Sequence, residues 1–257
     1  MILQDIINII ESVAPLSYQE SWDNSGLQVG DRNAEVHAAL LTIDVTESVV
    51  GEAINKRCDL IISHHPLLFH GLKHLTGETP QERCVEKAIR HNIAIYSSHT
   101  AMDAYIHGVS GKIADKLGIN HYQILCPTTE QNIGLGVIGT LNNPMNSDDF
   151  IRFVQDVFDC SLRYIEPPAK LITTVAICGG AGAEFIKQAI NQKADLFITA
   201  DMKYHEMQAA LGKIGVIDLD HWTSEHFTRE IFAELLSKHI TTYISDNDIT
   251  PIKWLIK

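Results

Sequence analysis

The 257-residue sequence has few positive charges and few aromatic residues. Lysine and arginine number 20 against 32 aspartates and glutamates, which gives a net charge of −12, and aromatic residues make up 7% of the chain. A general nucleic-acid-binding protein normally carries a basic surface, so this balance argues against that class. A phosphate-bearing substrate is not excluded, because a bound metal ion can supply the positive charge.

Cysteine is also sparse, and the sequence shows no paired pattern of it. The five cysteines are an odd number and no two form a Cys-x-x-Cys motif, which predicts reduced thiols. The N-terminus lacks the basic region of a signal peptide, and Asp5 interrupts its apolar residues. No apolar run reaches the ~20 residues that cross a bilayer. We therefore expect a soluble, cytoplasmic protein.

The remaining composition is that of a globular protein with many histidines. Hydrophobic residues make up 45% of the chain and charged residues 20%, which excludes disordered, collagen-like and disulfide-stapled classes. The length fits one large domain or two ordinary ones. There are 13 histidines, and histidine serves both as a metal ligand and as a general acid or base. Their positions must decide between these roles.

Apolar runs rich in β-branched residues alternate with helical patterns along the chain. The predicted strands are 38–45, 59–63, 93–97, 134–141, 171–178, 196–199, 216–219 and 240–244. The predicted helices are 47–57, 81–91, 148–157, 184–192 and 224–238, and Leu3, Ile6, Ile7, Ile10 and Val13 share one helical face. This alternation predicts an α/β fold with largely parallel but mixed sheets.

The sequence also contains an internal similarity. Residues 52–63 align without a gap on residues 188–199, with six of twelve positions identical, and both stretches fit helix, turn and strand. Chance similarity between two βαβ units is one explanation. The other is a duplication, which predicts two similar α/β lobes with mixed sheets that face a shared metal-binding cleft. The first lobe would span 1–126 and the second 127–220, with 221–257 able to pack back on the first.

Three predicted strands end in residues that bind metals. His64 and His65 follow the predicted strand 59–63 and precede Pro66, where a turn can direct both rings into one pocket. Two surface histidines on a loop are the alternative. His99 and Asp103 follow the predicted strand 93–97, and a carboxylate beside imidazoles suits zinc, manganese or iron. Asp103 as a helix cap is the competing explanation.

The predicted strand 216–219 leads to His221 and Glu225, whose spacing of four residues places both on one helical face. A capping role for Ser224, with Glu225 in the first helical turn, is the alternative. Together the three motifs supply more ligands than one catalytic zinc with an open position needs. They fit a two-metal site with a bridging carboxylate. The expected metal ligands are His64, His65, Asp103, His221 and Glu225.

Two further stretches have plausible but less specific roles. Lys203 could hold a substrate phosphate and His205 could carry a proton, although a helix start with solvated charges explains both residues equally well. Residues 178–182 are glycine-rich and follow an apolar strand, which suits either an anion site or a tight turn. The Gly-x-Gly-x-x-Gly pattern at 134–139 lacks a preceding strand and a following helix, so we reject it as a dinucleotide fingerprint.

The combination of motifs resembles the Nif-three-like family, whose members are often named GTP cyclohydrolase I type 2 homologues. The similar motifs are His-His-Pro at 64–66, Ser-Ser-His-Thr-x-x-Asp at 97–103, His-x-x-x-Glu at 221–225, and the segment Trp22–Asp31. The segment itself fits a turn with Trp22 and Leu27 as apolar anchors, and its role is open. Asp220 departs from the family pattern, which often has glycine before the last ligand histidine.

The resemblance covers essentially the whole chain, and it implies the same five ligands. It further implies two divalent ions per chain (zinc, iron or manganese), a homohexameric ring, and a small-molecule substrate that could be a nucleotide. The expected function is a dinuclear-metal-dependent hydrolase of a nucleotide or related phosphate compound, similar to GTP cyclohydrolase I type 2. The alternative is a non-catalytic metal-binding regulatory or scaffold protein. No membrane partner is expected.

Overall fold

A computed structural model describes residues 1–128 and 133–255. The strands are β1 (Gly26–Val29), β2 (Ala38–Thr42), β3 (Leu60–Ser63), β4 (Ala94–Ser97), β5 (Ile119–Pro127), β6 (Gly134–Asn146), β7 (Arg163–Ile165), β8 (Leu171–Ala181), β9 (Leu196–Ala200), β10 (Gly215–Leu219) and β11 (Thr241–Ile244). The α-helices are α1 (Leu3–Glu11), α2 (Glu47–Asn55), α3 (Pro80–Arg90), α4 (Thr100–Ala104), α5 (Val109–Lys116), α6 (Ser147–Phe158), α7 (Ile186–Asn191), α8 (Tyr204–Ala210), α9 (His221–Glu225) and α10 (Thr228–Leu236).

The chain forms two compact units, each with its own mixed sheet. The first unit contains residues 1–102 and 228–249, and the second contains 103–227 and the chain from 250 onward. Strands alternate with helices in both, so the predicted α/β fold with mixed sheets is confirmed.

The first unit is built on a five-stranded sheet of order β1-β4-β3-β2-β11. Four strands are parallel, and β1 lies antiparallel on the edge. Every residue of β2, β3 and β4 is buried, as expected of parallel strands covered on both faces. Helix α1 buries its predicted apolar face, and the hydroxyls of Thr46 and Thr79 cap α2 and α3.

The second unit contains a six-stranded sheet of order β5-β6-β8-β9-β10-β7. Strands β8, β9 and β10 are parallel, and the other neighbours pair antiparallel. Because β5 pairs with β6, the structure groups residues 103–126 with this unit, whereas the sequence analysis assigned them to the first lobe. At the other end of the chain, β11 pairs with β2, which ties residues 241–244 to the first unit.

The two similar sequence stretches have the same local structure. Residues 52–63 form the end of α2 and β3, and residues 188–199 form most of α7 and β9. Their predicted order of helix, turn and strand is confirmed. Residues 134–139 lie within β6, in agreement with the rejection of a dinucleotide-binding loop.

Burial governs the chemistry of the cysteines that the structure describes. The five cysteines are free thiols, and burial raises the pKa of Cys58 and of Cys84 to about 11, so neither is a reactive thiolate at neutral pH. Among residues 1–128 and 133–255, no helix is long and apolar enough to span a membrane.

Candidate metal centre

Three histidines lie together at the carboxyl edge of the first unit's sheet. His64 and His65 follow β3, and His99 follows β4, whose Ser97 pairs in register with Ser63. One ring nitrogen from each lies within 4.8 Å of the others, and the ring centroids are 5.1 to 5.3 Å apart. Adjacent parallel strands bring these residues together because their carboxyl ends meet at one edge.

Each of these rings is held through its Nδ1 atom by an oxygen. His64 Nδ1 lies 3.0 Å from the Ser98 carbonyl oxygen, and His65 Nδ1 lies 2.9 Å from Asp44 Oδ1. His99 Nδ1 lies 2.9 Å from Asp23 Oδ1. An oxygen that accepts the Nδ1 proton fixes the ring's orientation and tautomer, so that Nε2 is the nitrogen offered to a metal ion. This arrangement is typical of metal-binding histidines.

Asp23 gives the Trp22–Asp31 segment a role that the sequence analysis left open. Its buried carboxylate accepts hydrogen bonds from Thr100 Oγ1 at 2.6 Å, Thr100 N at 3.1 Å and Ser25 Oγ at 2.9 Å. Burial raises the Asp23 pKa, but the hydrogen bonds from His99 and Thr100 outweigh it and lower the pKa well below its ordinary value. Asp23 is therefore an ionised positioning residue for His99.

The second unit brings His221 and Glu225 together on α9. His221 Nε2 lies 3.2 Å from Glu225 Oε2, as the spacing of four residues predicted. His221 Nδ1 lies 2.7 Å from Asp201 Oδ2, which repeats the oxygen-held pattern of the first unit. Asp201 adopts a left-handed φ of 58° directly after β9, a conformation that aspartate tolerates better than most residues.

Gly180 provides space for the Glu225 carboxylate. A β-carbon at this position would lie 2.3 Å from Glu225 Oε1, and its φ is +67°. The Gly180 amide donates to Ser224 Oγ at 2.9 Å, and that hydroxyl donates to the His221 carbonyl. The glycine-rich stretch is therefore part of β8 that lies close to α9, instead of a separate anion-binding turn.

The N-cap of α9 is Asp220, the residue that departs from the family pattern. Its carboxylate accepts from Thr223 Oγ1 at 2.7 Å and from Thr223 N at 3.3 Å. The alternative assignment of Ser224 as the cap is not observed. The extra carboxylate thus fixes the start of the helix that carries His221 and Glu225.

Asp103, Lys203 and His205 are the other residues singled out from the sequence. Asp103 is half-buried on α4, four residues after His99. Burial is the main cause of the raised pKa of Cys178, and the negative charge of Asp103 adds to it, which places Asp103 near β8. Lys203 and His205 are exposed around the start of α8, where Glu206 Oε2 accepts from Lys203 N at 2.7 Å.

The donors in both units fit divalent transition metals. Imidazole and carboxylate groups bind zinc, iron and manganese, and the rings are already oriented by oxygen partners. His99 is a donor that the five-residue ligand set omitted. Its signal in the sequence was its position at a strand end.

Comparisons with known proteins agree with this fold and these motifs. The family model for Duf34/NIF3 (NGG1p interacting factor 3) matches residues 1–251. A Clostridium acetobutylicum protein named "GTP cyclohydrolase 1 type 2 homolog" is 34% identical over 98% of both chains, and a Schizosaccharomyces pombe NIF3 homologue is 32% identical over 89% of this chain and 87% of its own. A solved Staphylococcus aureus structure has a TM-score of 0.90 with 27% identity over 99% of both chains. This chain belongs to the Duf34/NIF3 family.

Proposed function

We propose that the protein is a dinuclear-metal-dependent hydrolase of a nucleotide or a related phosphate compound. The observation that carries the proposal is that four histidines, His64, His65, His99 and His221, each have Nδ1 held by an oxygen. Metal-binding histidines almost always have such a partner on the second ring nitrogen, and three of these four also bring a ring nitrogen within 4.8 Å of one another. The names of the relatives support a reaction on a guanine nucleotide, although they describe those proteins as homologues of the enzyme.

The proposed metal ligands are the five from the sequence, His64, His65, Asp103, His221 and Glu225, with His99 as a further donor. Two bound ions, zinc, iron or manganese, would supply Lewis acidity and lower the pKa of a water molecule. The carboxylates of Asp23, Asp44 and Asp201 hold the imidazoles in one orientation, so that little reorganisation is needed on binding.

Two exposed residues are the proposed groups for substrate handling. Lys203 carries a positive charge that can pair with a substrate phosphate in an otherwise acidic protein. His205 Nδ1 lies 3.3 Å from Gln208 Oε1, and an imidazole side chain can serve as a proton carrier. The Asp23 hydrogen bond favours the ligand role for His99 over that of a proton donor.

We further propose that the protein assembles as a homohexamer, as the family resemblance implies. If the ions are bound but nothing is hydrolysed, the ring is a metal-dependent scaffold or regulatory protein. Both functions require bound metal, but only the hydrolase converts a substrate, so a turnover assay separates them.

The direct test is GTP turnover by metal-replete protein, with a matched sample stripped by chelator. We expect ring-opened product from the first sample, none from the second, and recovery when the metal is restored. Lys203→Ala should lower this turnover if Lys203 pairs with the substrate phosphate, and Lys213→Ala is its matched control, because Lys213 is also an exposed lysine of the second unit. Absence of product from fully metal-loaded protein would exclude GTP hydrolysis and favour the scaffold.

A further inference from the structure

Two large aromatic side chains are exposed beside the histidine group of the first unit. Trp22 is 57% exposed and Phe69 is 40% exposed. The centroids of the two rings are 5.9 Å apart with their planes at 47°. Trp22 lies 5.9 Å and Phe69 6.4 Å from the His99 ring, both near edge-on. Single hydrophobic side chains scattered over a surface are common, whereas exposed hydrophobic side chains that cluster can mark a binding site. Trp22 and Phe69 form such a pair beside candidate metal ligands.

The backbone around both rings is held in place by hydrogen bonds. Asp23, next to Trp22, is tied to His99 and Thr100. Asn24 Nδ2 donates to the Leu68 carbonyl at 2.6 Å, which connects the Trp22 segment to the loop of Phe69. The Leu68 amide donates to Gln28 Oε1 at 3.1 Å. The aromatic faces are therefore presented by a connected framework that also positions a candidate ligand.

We propose that Trp22 and Phe69 form a stacking surface for a planar heteroaromatic ring, such as the nucleobase of the substrate. The inference rests on the proposed function and adds the residues that recognise the base. The large π-faces of Trp22 and Phe69 suit a flat heteroaromatic ring, and stacking tolerates different bases. A ring that contacts Trp22 and Phe69 lies next to His99, which is one of the proposed metal donors.

The polar surroundings favour a small heterocycle over a second protein chain. Asn24 is exposed and its Nδ2 belongs to the same framework, so its Oδ1 can accept a hydrogen bond from the edge of a base. The exposed amide of Asn24 is a polar group that a dry protein interface would have to desolvate. A small ligand can cover the aromatic faces while its polar edge remains hydrated.

Fluorescence provides a specific assay, because the chain has three tryptophans. The double variant Trp222→Phe, Trp254→Phe leaves Trp22 as the sole indole. In metal-loaded protein, guanosine and adenosine should quench this emission in a saturable manner, and ribose 5-phosphate should not. Absence of saturable quenching by both nucleosides would overturn the proposal.

Substitution in the wild-type background gives the second readout. Trp22→Ala should weaken nucleoside binding roughly 5- to 150-fold, the range for loss of a base–aromatic stack, and Trp22→Phe should retain most of the affinity. Phe69→Ala should also weaken it. Trp254→Ala is the matched control, since Trp254 is 49% exposed in the second unit. Equal affinities for Trp22→Ala and wild type would contradict the proposal.

Metal content and assembly are measured on the same samples. If Trp22→Ala keeps its metal but changes the oligomeric state with unchanged nucleoside affinity, the aromatic pair is a subunit contact and the proposal fails. If nucleosides bind through Trp22 but GTP is not hydrolysed, the stacking surface is supported and the hydrolase proposal fails. The two failures are therefore distinguishable.

Discussion

At the scale of single residues, the candidate site depends on how the histidines are held. Asp44, Asp23 and Asp201 each accept from the Nδ1 of one histidine at 2.7 to 2.9 Å. Such partners fix the ring and make its remaining nitrogen more basic, so they contribute to metal affinity without touching the ion. Substitution of the residues that orient the histidines therefore tests the metal site, as substitution of the ligands does.

Replacing Asp44 by alanine should weaken metal binding at the His64–His65 group. The substitution removes the acceptor of His65 Nδ1, and loss of such partners typically lowers metal affinity about 10- to 100-fold. Competition with a chromophoric chelator measures the affinity. Asp246→Ala is the matched control, because Asp246 is 83% exposed and pairs with Lys56. Equal affinities in the two variants would show that Asp44 does not position His65.

Gly180→Ala should disturb Glu225 as well as the backbone. A β-carbon would lie 2.3 Å from Glu225 Oε1, whereas Gly212 has a similar positive φ of 73° and nothing within 4 Å. Gly212→Ala should therefore cost about 1 kcal/mol of unfolding free energy from strain alone. Gly180→Ala should cost more and also lower metal affinity. Denaturant unfolding and chelator competition check this, and identical behaviour of both variants would contradict it.

The sequence predicted the candidate metal ligands better than the residues that orient them. His64, His65, His221 and Glu225 follow strands or share a helical face, and both signals are local. Asp23 and Asp44 contact histidines 76 and 21 residues away along the chain. Such contacts depend on how strands are ordered in a sheet, which local periodicity does not contain. The close approach of Gly180 to Glu225 depends on packing in the same way.

At the scale of elements, a buried carboxylate joins α2 to the chain that follows β11. Glu52 accepts hydrogen bonds from Ser245 Oγ at 2.6 Å, Asp246 N at 3.0 Å and Asn247 N at 3.1 Å, and it pairs with Lys56 at 2.7 Å. Burial raises its pKa, but these partners outweigh burial and lower the pKa to about 2. Glu52 thus stabilises the attachment of the C-terminal strand to the first unit.

This attachment should make stability depend on acidity. Because the folded pKa of Glu52 is about 2 against an ordinary value of 4.5, its contribution is complete above about pH 4.5 and is lost as the pH falls toward 2. The shift corresponds to about 3 kcal/mol. Glu52→Gln should lower the unfolding free energy at pH 7 by about 2–3 kcal/mol, and the difference from wild type should shrink between pH 4.5 and 2.

Urea unfolding of chelator-treated protein across this pH range measures the effect without interference from bound metal. Glu86→Gln is a suitable control, since Glu86 forms a more exposed pair with Arg90 on α3, and such pairs contribute little. A Glu52→Gln deficit that stays constant from pH 7 to pH 2 would contradict the assigned role.

Three strands that the sequence did not predict have weak local signals. β1 is short and begins at a glycine, β5 contains the polar run Asn120–Gln123, and β7 has three residues. All three pair antiparallel with a neighbour, so pairing with that neighbour determines their structure. The predicted helix 224–238 divides into α9 and α10, and the break falls where the chain passes from the second unit to the first.

At the scale of the whole molecule, each of the two α/β units carries donors of the proposed ligand set. The family assignment extends over nearly the full chain, so the expected assembly is that of the family resemblance, a homohexamer. Native mass spectrometry and sedimentation should give six times the 28.6 kDa chain mass, about 172 kDa. A monomer or dimer across the micromolar range would contradict the hexamer while leaving the metal proposal intact.

The central claim is that this chain binds two transition-metal ions through the predicted ligands. It is tested most directly by elemental analysis of protein purified without chelator or affinity-tag nickel, alongside His64→Ala and Glu225→Ala. The account predicts about two ions per wild-type chain and fewer in each variant, with folding retained. Wild-type protein that holds no metal after replenishment, or variants that keep the full content, would contradict it.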